Sequence, residues 1–568
     1  MAVSRYAQDR GGAARLTADG ADSRAWGTPL DGVARWAMRV PWLWPTLLML
    51  LFGCYQLSRP EMWADELWSW SFAADPVHEL VVSAGRSNPA ELVYDLGLHY
   101  WMAAFGDSVV AMRMLSVLAM AGAAACVALA GRRLAGARAG LLAGLVFALV
   151  PSVSRFAQEV RFYAPEVLAV ALATLLLLRA LDAPSVRRWA AYSVCLAVVG
   201  YIDVVALSVV LGHAAGAALR WWQDKDARQD RGAGVLLGFA AAAAAGLAAC
   251  VPLVAFSLNK AGSQVFWIAR PGLDLFTFGS FTRNLFYSTS VAAAVIVLAV
   301  LAWSAWRAAA FMTAVAVLPV AAVWLLSQGP HSYFFSRYLL FTIVAWAILV
   351  GIGLSRIDVR LAAVAVLVIA VLGAGDQQVI RQPGAHEWAG YPLGYGGYYM
   401  DYAGAASMIA GDARTGDGIV YQEGDLWWQM IGPGLQYYLG RDIPHGVPVP
   451  RDLFVADAAL PSSQIKPVAC NPAACLGDEP RIWIVGSGRL IDPYLAVAGN
   501  QAAVLRPRYR LALTRHFLSL TVFLLVRDAR PASPGRHRPA DRAGRAVITA
   551  PARLLPARRG RADWSFRP

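Results

Sequence analysis

Eleven apolar runs, each close to the length that crosses a bilayer, recur between short polar breaks over residues 42–374 of this 568-residue chain. They fall at 42–58, 109–130, 137–153, 163–181, 188–202, 204–221, 234–257, 290–306, 308–327, 338–354 and 360–374. Inside hydrocarbon every backbone N–H and C=O needs an internal partner, so apolar runs of this length are expected to be helices. Composition agrees. Hydrophobic residues make up 58% of the chain and charged ones only 15%, against about 25% charged in soluble domains. The net charge of +13 sits mostly in short loops and the two tails, without interleaved basic and aromatic residues. It reads as a topology signal and an attraction to anionic lipid, with no nucleic-acid partner.

Placing the N-terminus inside puts nearly every short basic loop on one side: Gly131-Arg132-Arg133, the stretch Pro184 to Arg188, the charged segment 220–231, Arg307, and Ser355-Arg356 with Arg360. The opposite side then receives the long loop 59–108, the turn around Arg155 to Arg161, the loop 258–289, and everything after about residue 375. Residues 1–40 are rich in Arg, Gly and Ala without apolar periodicity, which predicts a disordered cytoplasmic tail. No small-residue cleavage site follows the first apolar run, so a signal peptide is not expected. Residues 376–527 turn polar and rich in Gly, Tyr and Trp. Short β-branched or aromatic runs at 418–421, 481–486 and 520–526 predict buried strands, with a helix near Ser407 to Arg414. The expected architecture is a polytopic α-helical membrane protein of about eleven spans over 41–375, with a soluble α/β domain on the outer face. A basic, disordered tail over 528–568 completes it. Of six cysteines, Cys470 and Cys475 stand in a polar loop facing the oxidising side, which predicts a local disulfide; no zinc-like cluster accompanies them.

Ionisable residues gather where spans meet the outer side. Asp65 and Glu66, in Trp63-Ala64-Asp65-Glu66, follow the first span. Two readings fit them: a catalytic carboxylate, with either residue as the base, or a pair favoured by a helix N-terminus. Arg155, Glu159 and Arg161 crowd one turn, with Arg155 and Glu159 at the i, i+4 spacing of helical neighbours. That group either holds the turn or brings arginines to a phosphate. Arg337 and Tyr338 close the stretch that begins at His331, where Arg337 either snorkels to lipid headgroups or faces the same compartment as Asp65. The loop 258–289 adds Lys260, Gln264, Trp267, Arg270 and Arg283, the make-up of a segment that covers a polar substrate or of an ordinary interfacial loop. Together these clusters supply a carboxylate base and several cations on one face. Ion transport would instead place such groups at mid-membrane depth. No metal-ligand cluster, phosphate-binding glycine loop or dinucleotide motif appears, and no cofactor or metal is expected.

Trp63-Ala64-Asp65-Glu66, Asn88-Pro89 to Tyr94, Phe105-Gly106 to Arg113, Arg155 to Tyr163 and Ser336-Arg337-Tyr338, in that order, resemble the GT-C type of membrane glycosyltransferases. The nearest flavour is the family 39-like branch of protein mannosyltransferases and aminoarabinose transferases. The resemblance covers about residues 40–375. One departure is that Ser87-Asn88-Pro89-Ala90 stands where many relatives have His-Pro-Pro. The resemblance implies an inverting transfer of a sugar, a mannose-like hexose or a pentose, from a polyprenyl-phosphate carrier to a glycan, lipid or protein acceptor. It implies catalytic roles for Asp65, Glu66 and Glu159, and positions near the carrier phosphate for Arg161 and Arg337. Arg155 and Lys260 are further candidates for the phosphate, and Gln264, Trp267, Arg270 and Tyr338 for covering the substrate. The implied location is the plasma or inner membrane. The rival class is a flippase for a lipid-linked sugar, which would need no covalent chemistry. Cysteine labelling from either side of the membrane checks the topology: positions near 225 should react from the inside, and positions near 275 and 430 from the outside. A cytoplasmic signal at 430 would overturn it.

Overall fold

The computed structural model describes residues 39–86, 91–223, 234–383, 400–422, 429–443, 448–455 and 470–528. The expected tails (apart from residues 39, 40 and 528), most of the segment 220–231, and Asn88 and Pro89 lie outside these residues. The first half of the helical bundle comprises α1 (Leu43–Cys54), α2 (Ala64–Ala73), α3 (Val77–Arg86), α4 (Leu92–Phe105), α5 (Val109–Ala135), α6 (Ala137–Leu149), α7 (Pro151–Ala157) and α8 (Tyr163–Asp182). It continues through α9 (Val186–Ile202), α10 (Val209–Gln223), α11 (Gly234–Gln264) and α12 (Leu275–Phe286). The last four are α13 (Thr289–Val300), α14 (Trp306–Leu326), α15 (Ile343–Leu354) and α16 (Val359–Val379).

Every apolar run expected from the sequence falls on helix. By length and composition, however, seven stretches of the described residues suffice to cross a membrane, or eight if the bent pair α6–α7 counts as one span. The difference from eleven has three sources. Helices α1 and α9, with 12 and 17 residues, are short for a span of about 20. The runs at 290–306 and 308–327 merge into one apolar stretch, Thr289–Leu326, interrupted by the 3-10 turn Leu301–Ala305. The run at 137–153 is not straight: the chain turns by 67° between α6 and α7. Pro151 is the local cause. It occupies the first turn of α7, where its missing N–H costs nothing, and it cannot continue α6.

Ser108, Ser185 and Ser288 each accept a backbone N–H three residues on and so start α5, α9 and α13. The centre of the bundle is α5, α6 and α15, and small residues let these backbones touch. A Cβ on Gly351 would stand 2.5 Å from the Ala139 carbonyl oxygen, and one on Gly131 3.1 Å from the Gly140 Cα. In α15 every residue but Trp346 is buried. Helix α16, by contrast, exposes Val364, Leu367 and Val371, as an outermost helix in lipid would.

After residue 400 come α17 (Tyr402–Asp412), β1 (Gly418–Tyr421), α18 (Ile431–Asp442), β2 (Arg451–Asp452), α19 (Pro472–Cys475), β3 (Arg481–Ser487), α20 (Gly499–Leu505), β4 (Tyr509–Phe517) and β5 (Leu520–Arg527). They build one mixed sheet in the order β2-β1-β3-β5-β4. Strands β1, β3 and β5 are the three expected runs, and α17 occupies the expected helix but begins earlier. Strand β4 was not anticipated, because Arg510, Arg515 and His516 break its apolar pattern; it is an edge strand, where charge is tolerated. Cys470 and Cys475 are joined by a disulfide across α19. The sheet's helices share one hydrophobic core with the bundle, Leu435 and Tyr437 packing in the same cluster as Leu67 and Leu98.

The close helix contact gives a stability test. Gly351→Val should lower the thermal midpoint of the detergent-purified protein by the equivalent of about 1–3 kcal/mol or more, because the backbone it meets cannot yield. Gly375→Ala, in α16 with nothing within 4 Å, should change it by less than about 1 kcal/mol.

Candidate active site

Trp63 is extended and α2 begins immediately after it, so Asp65 and Glu66 lie in a first helical turn, where unpaired N–H groups favour carboxylates. About 100° separates successive residues on a helix, and the two acids diverge accordingly. Glu66 turns inward and is fully buried. Its carboxylate takes a two-pronged bond from Arg113, at 2.8 Å from Nε and 2.6 Å from Nη2, and a third from the Val160 amide at 2.9 Å. Arg113 spends its remaining donors on the carbonyls of Leu57, Pro60 and Glu61. The expectation that Glu66 shares the catalytic work meets a geometric obstacle: both its oxygens are sequestered and no solvent reaches it. Asp65 turns the other way. Its Oδ2 stands 2.9 Å from Arg337 Nη1, and the two side chains keep 22% and 12% of their surface exposed. That oxygen takes part in the ion pair without accepting an aligned hydrogen bond.

The bend at Pro151 delivers the second cluster. Arg155 Nη1 pairs with Glu159 Oε2 at 2.7 Å, the i, i+4 contact legible in the sequence. The other Glu159 oxygen accepts the Trp63 indole N–H at 3.0 Å. Gln158 donates to the carbonyls of Gly53 and Tyr55, closing the exposed end of α1. Burial pushes the Glu159 carboxyl upward, Arg155 beside it opposes the shift, and Glu66 adds to it. Arg161 lies flat against Glu91, with contacts of 2.7 and 2.5 Å, and donates to Ser69 Oγ at 3.0 Å. Arg155 and Arg161, expected near a phosphate, are thus both buried in ion pairs with carboxylates of this chain.

Arg337 has a different setting. Five aromatic rings surround its guanidinium: Phe335 at 5.1 Å, Tyr163 at 5.6 Å, Trp63 at 5.7 Å, and Trp267 and Tyr338 at 5.8 Å each. Trp267 and Tyr338 therefore join Asp65 and Arg337 at one place. Gln264 supports Trp267 by accepting its indole N–H on the backbone carbonyl. Arg270 is exposed and donates to the Gly329 carbonyl, outside the ring cage. Lys260 falls in α11, but its side chain lies outside the described residues. Among the described residues no group of three or more His, Cys, Asp or Glu is placed to hold a metal ion. Sequence reasoning did not single out Arg113 or Glu91. Both stand within stretches whose pattern was noted, but their partners are 47 and 70 residues away, and nothing local reveals such a pairing.

Residues 92–221 match the family model of dolichyl-phosphate-mannose-protein mannosyltransferases. The fold is similar to that of ArnT from Cupriavidus metallidurans bound to undecaprenyl phosphate, with a TM-score of 0.53 at 15% identity over 85% of this chain and 97% of that one. The apo form of the same protein gives 0.53 at 14% identity, over 87% and 98%. The oligosaccharyltransferase AglB from Archaeoglobus fulgidus, in complex with an inhibitory peptide and a dolichol-phosphate, gives 0.41 at 11% identity over 75% and 61%, too distant to bear on the fold. No curated protein matches the sequence.

The two acids of α2 should separate cleanly by stability. Arg113→Met leaves Glu66 buried and unpaired, a loss of about 3–5 kcal/mol, read as a fall in folded yield and thermal midpoint. Asp65→Asn removes one charge from a pair that keeps 22% and 12% of its side-chain surface exposed, and should cost less than Arg113→Met.

Proposed function

We propose that this chain, a multi-pass membrane protein of the GT-C glycosyltransferase type, transfers a sugar from a polyprenyl-phosphate carrier to an acceptor hydroxyl. The observation that carries the reading is the Asp65–Arg337 pair, the one of four neighbouring carboxylate–arginine pairs in which both partners keep more than a tenth of their side-chain surface exposed. In the proposed reaction Asp65 takes the proton of the acceptor hydroxyl. The oxygen attacks the anomeric carbon from the face opposite the phosphate, and the bond from that carbon to the phosphate oxygen breaks with inversion. The leaving group is already an anion, so it needs a cation more than a proton, and Arg337 is the cation placed to meet it. A donor phosphate would compete with Asp65 for Arg337, freeing the carboxylate to act as base as the donor binds. Trp267 and Tyr338 would wall the sugar-phosphate junction.

Glu66, Glu159, Arg155 and Arg161 are assigned to holding α2 and the 158–162 turn, because each is already engaged by an oppositely charged partner within the chain. The undecaprenyl phosphate bound to the ArnT of similar fold supports a polyprenyl phosphate as carrier class. The acceptor side is assigned to the outer face of the plasma or inner membrane, with the 376–527 region on that face, following the one-sided basic loops. A flippase would explain the cations equally well but not why the acids and arginines cluster on one face rather than along a pathway, and we favour transfer for that reason.

The test is purification in detergent followed by incubation with radiolabelled polyprenyl-phosphate hexoses and pentoses. Asp65→Asn keeps size and hydrogen bonding but cannot take a proton, and should lower transfer about 10²- to 10⁴-fold while donor binding is retained or tightened, the competing charge on Arg337 being gone. Normal transfer by that variant would remove Asp65 as the base; no transfer by the parent across the panel would count against the enzyme class.

A further inference from the structure

The loop that carries Asp65 is gripped from two sides. On the bundle side Arg113 holds the carbonyls of residues 57, 60 and 61. On the other side stands α18, from the region after residue 400, with adjacent Tyr437 and Tyr438. The Tyr438 hydroxyl accepts the Met62 backbone N–H at 3.1 Å. Met62 lies three residues before Asp65, ahead of the helix, so no intrahelical carbonyl serves that amide. The Tyr437 hydroxyl donates to the Asp107 carbonyl at 3.0 Å, and its ring meets Trp70 edge-on with centroids 5.0 Å apart. Arg441, one turn further along α18, stacks on Tyr437 at 3.6 Å and pairs with Asp107 Oδ2 at 2.5 Å. One helix thus touches the start of the loop, α2 within it, and its end.

We infer that α18 is a strap that positions the base, with Tyr438 as the positioning residue that fixes the backbone from which Asp65 reaches Arg337. Met62 adjoins Trp63, whose indole N–H is fixed to Glu159 and whose ring lies beneath Arg337. Movement at Met62 therefore shifts Trp63 and the first turn of α2 together, altering the line between Asp65 and its target. A misplacement of about 1 Å at a reacting group is costly, whereas a single hydrogen bond contributes little to the fold. Tyr438 touches no group assigned to donor or acceptor, so its effect should appear in the rate and not in donor affinity. The inference rests on the transferase reading for its kinetic consequence, but not for its structural one.

The experiment uses the full chain in detergent and compares the parent with Tyr438→Phe by hydrogen exchange and by transfer kinetics. Exchange in the peptide covering Met62 to Leu67 should rise about tenfold, the loss of one hydrogen bond's protection, with β3 and β5 unchanged. With a polyprenyl-phosphate sugar, kcat should fall about tenfold while KM for the donor stays within about twofold. Unchanged exchange at Met62 to Leu67 overturns the strap whether or not any donor is turned over. Raised exchange with parental kcat overturns the positioning role. A parent that transfers nothing defeats the transferase reading, and the exchange result still decides the strap. Should Tyr438→Phe fail to accumulate, Arg441→Gln, which releases α18 from Asp107, serves instead: raised exchange at Met62 to Leu67 is expected, and unchanged exchange there overturns the strap.

Discussion

The buried pair of Glu66 and Arg113 is the contact on which the rest of this end of the bundle depends. Taking two charges out of water is expensive, and the expense is offset only when every donor and acceptor finds a partner. Here all five N–H groups of Arg113 are used: two on the carboxylate and three on the carbonyls of Leu57, Pro60 and Glu61. A lysine has three donors and no planar fork, and could not do the same. Because the guanidinium gathers those carbonyls, the chain leaving α1 is drawn back over α5, and α2 starts with one orientation. Glu66 then points inward and, by helical geometry, Asp65 cannot. Which of two adjacent acids is accessible is settled by an arginine 47 residues away.

Charge balance around the site follows the same logic. Four carboxylates meet four arginines: Glu66 with Arg113, Glu159 with Arg155, Glu91 with Arg161, and Asp65 with Arg337. Three of these pairs are nearly or wholly inaccessible, and their charges cancel internally. Only the fourth sits among aromatic rings with part of its surface open. In the proposed reaction an anion arriving at Arg337 meets a cation already paired with Asp65 and exchanges with that carboxylate. That exchange is less favourable than binding to a bare cation, and it links occupancy to the state of the acid it displaces.

Much of this was legible in the sequence because it is local. Apolar runs report helices whatever their neighbours do, and β1, β3 and β5 announce themselves as short apolar segments between turn residues. The gathering of Asp65, Glu159, Arg161 and Arg337 at one end followed from alternating the spans. What escaped was long-range or irregular. Arg161 looked like a free cation because Glu91, which engages it, is distant in sequence. The run at 137–153 read as a straight span, although Pro151 carried the signal of a break. Strand β4 was hidden by the charges that suit an edge, and the twin tyrosines of α18 had no periodicity to mark them.

The turn at Pro151 has an effect beyond delivering Arg155 and Glu159. Helix α7 departs from the line of α6 by 67°, and all seven of its residues are buried. It therefore lies across the bundle beneath the charged groups instead of continuing past them. An arginine at the end of a straight span can reach outward to lipid headgroups. Turned aside by the kink, Arg155 instead meets Glu159 and the rings of Trp63 and Phe156, so the bend decides whether this cation belongs to the protein or to the bilayer surface.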